Sequence, residues 1–375
     1  MSEIDTFFKL MCEQGASDLH LSSGSQPALR IDGDIKRIKY DILSNEYLKT
    51  LLYDILPQNE SKPDKNKPGK IKPDKIKSFE ESGDLDFAYE IKGLARYRAN
   101  YFMQKNGISA VFRAIPTEVP TVEQLDLPPV ISKLAELPQG LVLVTGPTGS
   151  GKTTTLAAII DRANKVRKDH IITIEDPIEY IHKSQNCIVN QREVGKHSKS
   201  FFSALRGALR EDPDIIMLGE LRDLESISLA IEAASTGHLV FGTLHTASAS
   251  KTIDRIIEVF PSSEQAQIRS ILADSLRAVV AQTLFKRIDK KGRCAAMEIL
   301  IATPAVRNLI REAKTHQIQS VIQTGKQYGM QLLDDDIMRL YKNGKISPES
   351  AYNKANNKKL FRSFLKDAPA DFTEI

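Results

Sequence analysis

Cysteine is scarce in this chain. The three residues, Cys12, Cys187 and Cys294, are widely spaced and form no C-x-x-C pair. That argues against a disulfide framework and a four-thiolate zinc site, and it fits a reducing compartment. Long apolar runs are missing too. Stretches such as Gly140–Thr145 fall far short of the ~20 residues that a membrane-crossing helix needs. The opening Met-Ser-Glu-Ile-Asp has neither the basic start nor the apolar run of a signal peptide. Secretion and membrane spanning are not expected. There is no tryptophan and no internal repeat. A one-signed charge is also lacking. The 52 basic residues exceed the 48 acidic ones only because Ser61–Ser78 holds seven Lys and two Asp, leaving 45 basic against 46 acidic elsewhere. A nucleic-acid-binding surface spread over the fold is therefore not expected.

What is present is enough apolar mass, 41% of 375 residues, for two or three globular domains. The first reads as mixed α+β. Ile4–Cys12 has the look of a short helix, Asp18–Ser22 alternates like a strand, and Ala28–Ile38 reads as a hairpin turning at Asp32-Gly33-Asp34. Leu43–Leu56 has helical spacing, and strands are expected at Asp84–Ile91, Ala95–Gln104 and Ile108–Ile115. The tract Ser61–Ser78, with three Pro and little that is apolar, reads as a mobile surface insertion. These signals place a first domain at 1–115. The Pro-rich stretch 116–129 follows as a linker.

From Gly140 onward, short apolar runs at Leu141–Thr145, Ile171–Ile174, Ile215–Leu218 and Leu239–Thr243 alternate with helical patterns. That is the signature of parallel strands covered on both faces, so an α/β core is expected over 130–303. A helical region is expected over 304–375, its last dozen residues frayed.

The first α/β strand runs into Gly146-Pro147-Thr148-Gly149-Ser150-Gly151-Lys152-Thr153 and then a helix over Thr154–Asp161. This is the P-loop pattern in the context it requires. Gly149 and Gly151 let the backbone wrap phosphate oxygens, and the helix N-terminus favours anions. Lys152 would reach the β- and γ-phosphates, and Thr153 would hold Mg²⁺. The pattern implies a nucleoside triphosphate site.

Hydrolysis needs more, namely an acid to orient water and groups that steady charge on the γ-phosphate. Asp214-Ile-Ile-Met-Leu-Gly-Glu220 reads as a Walker B strand with Gly219 where a second acid is usual, and Glu220 is the candidate for orienting water. Asp214, at the other end of that strand, suits a structural role. The acidic cluster Glu175-Asp176-Pro-Ile-Glu179 follows the neighbouring strand, at the end that faces a nucleotide crevice in such sheets. Either Glu175 or Asp176 is a candidate to reach Mg²⁺ through water. His238 and His245 lie near the two ends of the last strand, and only His245 is on the crevice side, where it can sense the γ-phosphate. No third ligand nearby supports a metal site at these histidines.

The order Ala16-Ser-Asp-Leu-His-Leu, the P-loop, Ile174-Glu-Asp-Pro-Ile-Glu-Tyr, Asp214–Asp223 and Ser235-Thr-Gly-His…Thr-Leu-His-Thr resembles the secretion ATPases of the type II/type IV pilus superfamily. Ala305-Val-Arg-Asn-Leu-Ile-Arg-Glu312 and Gln323-Thr-Gly…Gly329-Met-Gln331 resemble its retraction, or twitching-motility, branch. Val306 stands where the branch motif has Ile, and the Lys/Pro insertion departs from the pattern. The resemblance implies a PAS-like N-terminal domain joined to a RecA-like ATPase domain with a helical C-terminal tail. It implies a homohexamer in the cytoplasm, acting on an inner-membrane pilus platform protein through peripheral contact at the cytoplasmic face. ATP and Mg²⁺ are the implied ligands.

By the same resemblance, Glu220 is the catalytic carboxylate, Glu175 assists it, and His238 and His245 form a His box. Arg96, Arg98 and Arg113 of the N-terminal domain act at the nucleotide, as guanidinium forks suit phosphate oxygens. Thr154 closes the phosphate loop. The Ala305–Glu312 segment carries Val306, Leu309 and Ile310 on one side and Arg307, Arg311 and Glu312 on another. The resemblance implies a need for it in retraction beyond ATP hydrolysis itself. Four alternatives stay open at this point. They are an accessory paralogue of the retraction branch, a pilus-extension or secretion ATPase, a nucleic-acid translocase and a nucleotide-gated scaffold without turnover.

Overall fold

The computed structural model describes residues 3–31, 33–56, 75–91, 93–115 and 118–365. The chain divides into two compact units, 1–117 and 118–375.

In the first unit, α1 (Asp5–Glu13) is followed by β1 (Asp18–Ser22), β2 (Ala28–Ile31) and β3 (Asp34–Arg37), then α2 (Asn45–Asp54) and α3 (Lys75–Ser82). The meander β4 (Asp84–Ile91), β5 (Ala95–Gln104) and β6 (Gly107–Ile115) completes it. All pairings are antiparallel, in the order β3-β2-β1-β6-β5-β4. Strand alternation sends Leu19, Phe112, Ala99 and Phe87 to one face, where they pack with Phe8 of α1 and Leu48 and Leu52 of α2. Ser44 caps α2 by accepting the amide of Tyr47, the usual service of an N-terminal serine.

The tract expected to be mobile throughout is helical from Lys75. Phe79 anchors this helix, buried with its ring edge-on to Tyr101, so the sparse apolar residues after Lys75 suffice to dock a helix. The rest of that tract, Asp32 of the hairpin turn, and 366–375 of the expected frayed end lie outside the described residues.

The second unit opens with residues from the Pro-rich stretch. Val122 is buried with Ile131 of α4 (Pro129–Leu134) in the core of this unit. Then come β7 (Gly140–Thr145), α5 (Lys152–Val166), β8 (His170–Glu175), β9 (Ile188–Glu193), α6 (Phe201–Ala208), β10 (Ile215–Leu218), α7 (Leu224–Ser235) and β11 (Leu239–Leu244). Next are α8 (Ala249–Glu258), α9 (Gln265–Ser275), β12 (Leu276–Lys286) and β13 (Arg293–Ile301). The sheet order is β13-β12-β7-β11-β10-β8-β9, parallel except for the antiparallel β12–β13 pair.

The four expected strands are its centre, and every residue of β7, β10 and β11 is buried. Burying each Val, Leu or Ile of this centre contributes ~1.5–3 kcal/mol. β9, β12 and β13 were not expected. β9 mixes Asn190, Gln191 and Arg192 into its run, and edge strands need little apolar alternation. The helix after the P-loop is also longer than expected, starting at Lys152 and running to Val166.

Short helices close the chain: α10 (Pro304–Arg311), α11 (Ile318–Thr324), α12 (Leu333–Lys342), α13 (Pro348–Lys354) and α14 (Lys359–Arg362). On α10, Val306 and Ile310 are fully buried, as the spacing predicts. Its charged side is already engaged. Arg307 donates to the Ala302 carbonyl at 3.0 Å, Arg311 pairs with Asp274, and Glu312 pairs with Lys314 at 2.8 Å.

Candidate nucleotide site

The site begins where β7 ends. The chain leaves the sheet at Gly146 with φ +140°, and a Cβ there would lie 2.3 Å from the Gln282 carbonyl oxygen. Gly151, at φ +88°, is the residue from which α5 starts. Side chains at either position would deform the loop. The first amides of α5 have no partners within the helix and sit at its positive end. Ser150 contributes a buried hydroxyl without a hydrogen-bond partner among the described residues, an orphan of the kind a bound polar group satisfies. Pro147, Thr148 and Gly149 are exposed at the loop's mouth, and Thr153 and Thr154 are half-buried on the first turn. Lys152 is nearly buried. Its Nζ donates to the Gly146 carbonyl at 2.9 Å and the Pro147 carbonyl at 3.2 Å. Burial lowers its pKa, against the pull of Glu220 and Glu179.

Two further strand ends bring acid and imidazole to the lysine. Glu220, two residues beyond β10, pairs with His245 (Oε1 to Nε2, 2.9 Å) and with Arg222 (Oε2 to Nη2, 2.7 Å). His245, just past β11, has its Nδ1 3.5 Å from Lys152 Nζ. An ammonium can only donate, so this arrangement suits a proton on Nε2, which then donates to Glu220. Burial raises the pKa of Glu220, but Arg222 and then His245 outweigh it, so the carboxyl titrates below its ordinary range. It is ionised at neutral pH, as a group that orients water must be.

Glu175 ends β8. Its carboxyl is buried and accepts from Thr173 Oγ1 at 2.6 Å and Gln191 Nε2 at 3.1 Å. Burial pushes its pKa up to about 7, with those hydrogen bonds opposing. A carboxyl poised near neutrality is suited to proton transfer. Gly219 packs against it, because a Cβ at Gly219 would come 3.4 Å from the Glu175 Cα. Asp176 is exposed, and its charge reaches Arg222.

His238 is not brought to this cluster within its own chain. It precedes β11, and a six-residue strand spans ~20 Å, so His238 and His245 lie at opposite edges of the sheet. His238 Nδ1 instead lies 3.0 Å from the Ala233 carbonyl, at the C-terminus of α7. Asp214 is structural as expected, accepting the His170 amide at 2.9 Å.

Several residues here escaped the sequence reading. Gln282 of β12 clamps the loop, donating to the Ser150 carbonyl at 2.7 Å and accepting from Thr155 Oγ1 at 2.9 Å. Its one signal was a lone amide inside the apolar run of β12. Tyr180 meets Thr154 hydroxyl to hydroxyl at 3.0 Å. Arg222 and Gln191 gave no signal, since neither spacing nor composition marks them.

The three candidate arginines are in the first unit, on one face of its sheet. Arg98 and Arg113 stand directly opposite one another. Arg113 Nε donates to Asp18 at 2.9 Å, and Arg98 Nε lies 3.6 Å from Asp86. Arg96 stands opposite Glu90 and Ile115.

A mostly parallel sheet whose strand ends assemble a P-loop, a paired glutamate and a histidine defines a P-loop ATPase of RecA-like architecture. The chain belongs to the type II/IV secretion system protein family, whose profile matches residues 105–373. It is similar to the type IV pilus retraction ATPase PilT of Pseudomonas aeruginosa, with 52% identity over 94% of this chain and 98% of that protein. A twitching motility protein of Neisseria gonorrhoeae is 48% identical over 88% of this chain and 84% of its own length. Among solved structures, the pilus retraction motor PilT with bound ADP superposes with a TM-score of 0.83, at 43% identity, covering 96% of this chain and 98% of that one.

Proposed function

We propose that this chain hydrolyses ATP to drive retraction of a type IV pilus. It works as a homohexamer in the cytoplasm, against a platform protein at the cytoplasmic face of the inner membrane. The observation that carries the reading is full-length similarity to PilT in a chain whose Lys152, His245 and Glu220 form one connected group. Membrane contact is peripheral in this reading. Among the described residues no helix is long and apolar enough to cross a membrane.

The residues fit a nucleotide and its magnesium ion. Among the described residues no cluster of three or more His, Cys, Asp or Glu offers a site for a metal by itself. The Thr153 hydroxyl, Asp176 and Glu175 supply only a few hard oxygens. That suits Mg²⁺, which keeps waters and takes other ligands from phosphate. Bound there, Mg²⁺ would neutralise charge on the phosphate oxygens. The P-loop amides, Lys152 and Thr154 hold the phosphates. Glu220 orients a water by accepting its hydrogen, with His245 keeping the carboxylate in place, and Glu175 is available to relay a proton. Arg96, Arg98 and Arg113 reach the site from a neighbouring subunit, and His238 serves at such a junction. Hydrolysis and phosphate release shift the population between closed and open arrangements of the two units, with the hinge in the part of the Pro-rich stretch that precedes the buried Val122.

Steady-state turnover and light-scattering mass of wild type, Glu220→Ala and Arg96→Ala test the reading together. Hexamers that lose turnover in both variants are expected. A monomer, or wild-type turnover in Arg96→Ala, overturns the inter-subunit site.

A further inference from the structure

The opening motif Ala16-Ser-Asp-Leu-His-Leu21 takes no part in the cluster around the P-loop. The register of the first sheet gives it a place. β1 is paired with β2 on one side and β6 on the other, and Asp18 stands opposite both Arg30 and Arg113. Arg113 in turn stands opposite Arg98. Residues directly opposite share a face, so one row across four strands reads Arg30, Asp18, Arg113, Arg98. A single carboxylate lies among three guanidiniums.

That carboxylate is only 4% exposed. Its Oδ1 accepts from Arg113 Nε at 2.9 Å, while Oδ2 accepts from Ser17 Oγ at 2.7 Å and lies 3.8 Å from Arg30 Nε. Asp18 is therefore held also by Ser17, the residue just before β1. The Arg113 side chain is 63% exposed, and among the described residues Asp18 engages only its Nε edge. The two terminal nitrogens, which grip a phosphate as a fork, are left to a ligand. Without Asp18, Arg113 would keep a like charge directly opposite in Arg98, whose own acidic partner is Asp86.

We propose that Asp18 is the positioning residue for Arg113, fixing the guanidinium by Nε so that its terminal nitrogens meet the phosphates of ATP bound by a neighbouring copy of the chain. The inference rests on the reading of Arg113 as an inter-subunit arginine. A buried ion pair that merely stabilised the sheet would predict a different pattern of kinetics.

The test is a double-mutant cycle on the full chain. kcat and KM for MgATP are measured for Asp18→Asn, Arg113→Ala, the double variant and Asp18→Glu, with a thermal melt of each. Asp18→Asn is expected to lower kcat about tenfold with KM within about twofold, and the double variant to be no slower than Arg113→Ala alone. Asp18→Glu should recover part of the loss. Independent, multiplying effects in the double variant overturn the proposal, and so does wild-type kcat in Asp18→Asn when Arg113→Ala is slow. Wild-type kcat in Arg113→Ala instead overturns the reading of that arginine, and the proposal with it. Should Asp18→Asn not fold, Ser17→Ala replaces it. A loss of about twofold that vanishes in the Arg113→Ala background is then expected, and no loss overturns the proposal.

Discussion

The two sheets of this molecule handle polar chemistry in opposite ways. In the first unit, an antiparallel sheet buries one face and leaves the other polar, so its charged groups are spread across a surface by cross-strand register. Arg30, Asp18, Arg113 and Arg98 line up on four different strands. In the second unit, the central parallel strands are buried on both faces, which leaves polar groups room only where strands end. Lys152, Glu175, Glu220 and His245 all follow or close a strand at the same edge. The difference teaches how each site can be disturbed. On a face, a substitution disturbs the cross-strand pairs of the member that is changed. An edge built from four strand ends depends on every end being in register.

The largest expected effect is at that edge. Glu220→Gln keeps the shape but removes the charge that orients water, and kcat should fall by about 10²–10⁴-fold with nucleotide binding retained. Fluorescent-nucleotide titration beside a phosphate-release assay checks both halves, and a small change in kcat would move the base elsewhere. Next comes Gln282→Leu, which leaves the Ser150 carbonyl and the Thr155 hydroxyl without their partner. A loss of about 1–3 kcal/mol per buried unsatisfied group should appear in urea unfolding, together with weaker nucleotide affinity.

Glu175→Gln sharpens the comparison through pH. The native carboxyl titrates near 7 against an ordinary 4.5, so across that window the unfolded chain loses a proton that the fold keeps. Wild-type stability therefore falls as pH rises through the window and levels off above it. The variant lacks this loss, and its stability relative to wild type should rise by up to about 3 kcal/mol between pH 4.5 and 8. Parallel unfolding curves at both ends of that range would contradict the buried, protonated state. The smallest effect is expected at the opposite edge. His238→Ala removes a contact at the end of α7, costing about 0.5–1 kcal/mol. ADP affinity should stay within about twofold, and a larger shift would mean that this edge also serves nucleotide.

Much of the site was legible in sequence, for reasons specific to each residue. The P-loop requires two glycines, a lysine and a threonine or serine at fixed spacing, so Gly146–Thr153 announces itself. Glu220 and His245 were legible because each follows an apolar run that could only be a buried strand. Gln282 and Tyr180 were not, since their partners lie 132 and 26 positions away, at Ser150 and Thr154. Arg222 looks like any surface arginine until Glu220 is found beside it. The helix beginning at Lys75 was hidden because its first turn shares the composition of the tract before it.

The sequence alone determined two things: which segments form the buried parallel strands, because only continuous apolar runs can be covered on both faces, and where phosphate is held, because that loop's backbone excludes most side chains. How far burial raises the Glu175 carboxyl, which amide clamps the phosphate loop and which acid holds Arg113 were decided by tertiary structure. Those properties depend on burial and on distances of a few ångströms between residues far apart in the chain, and local pattern carries no information about either.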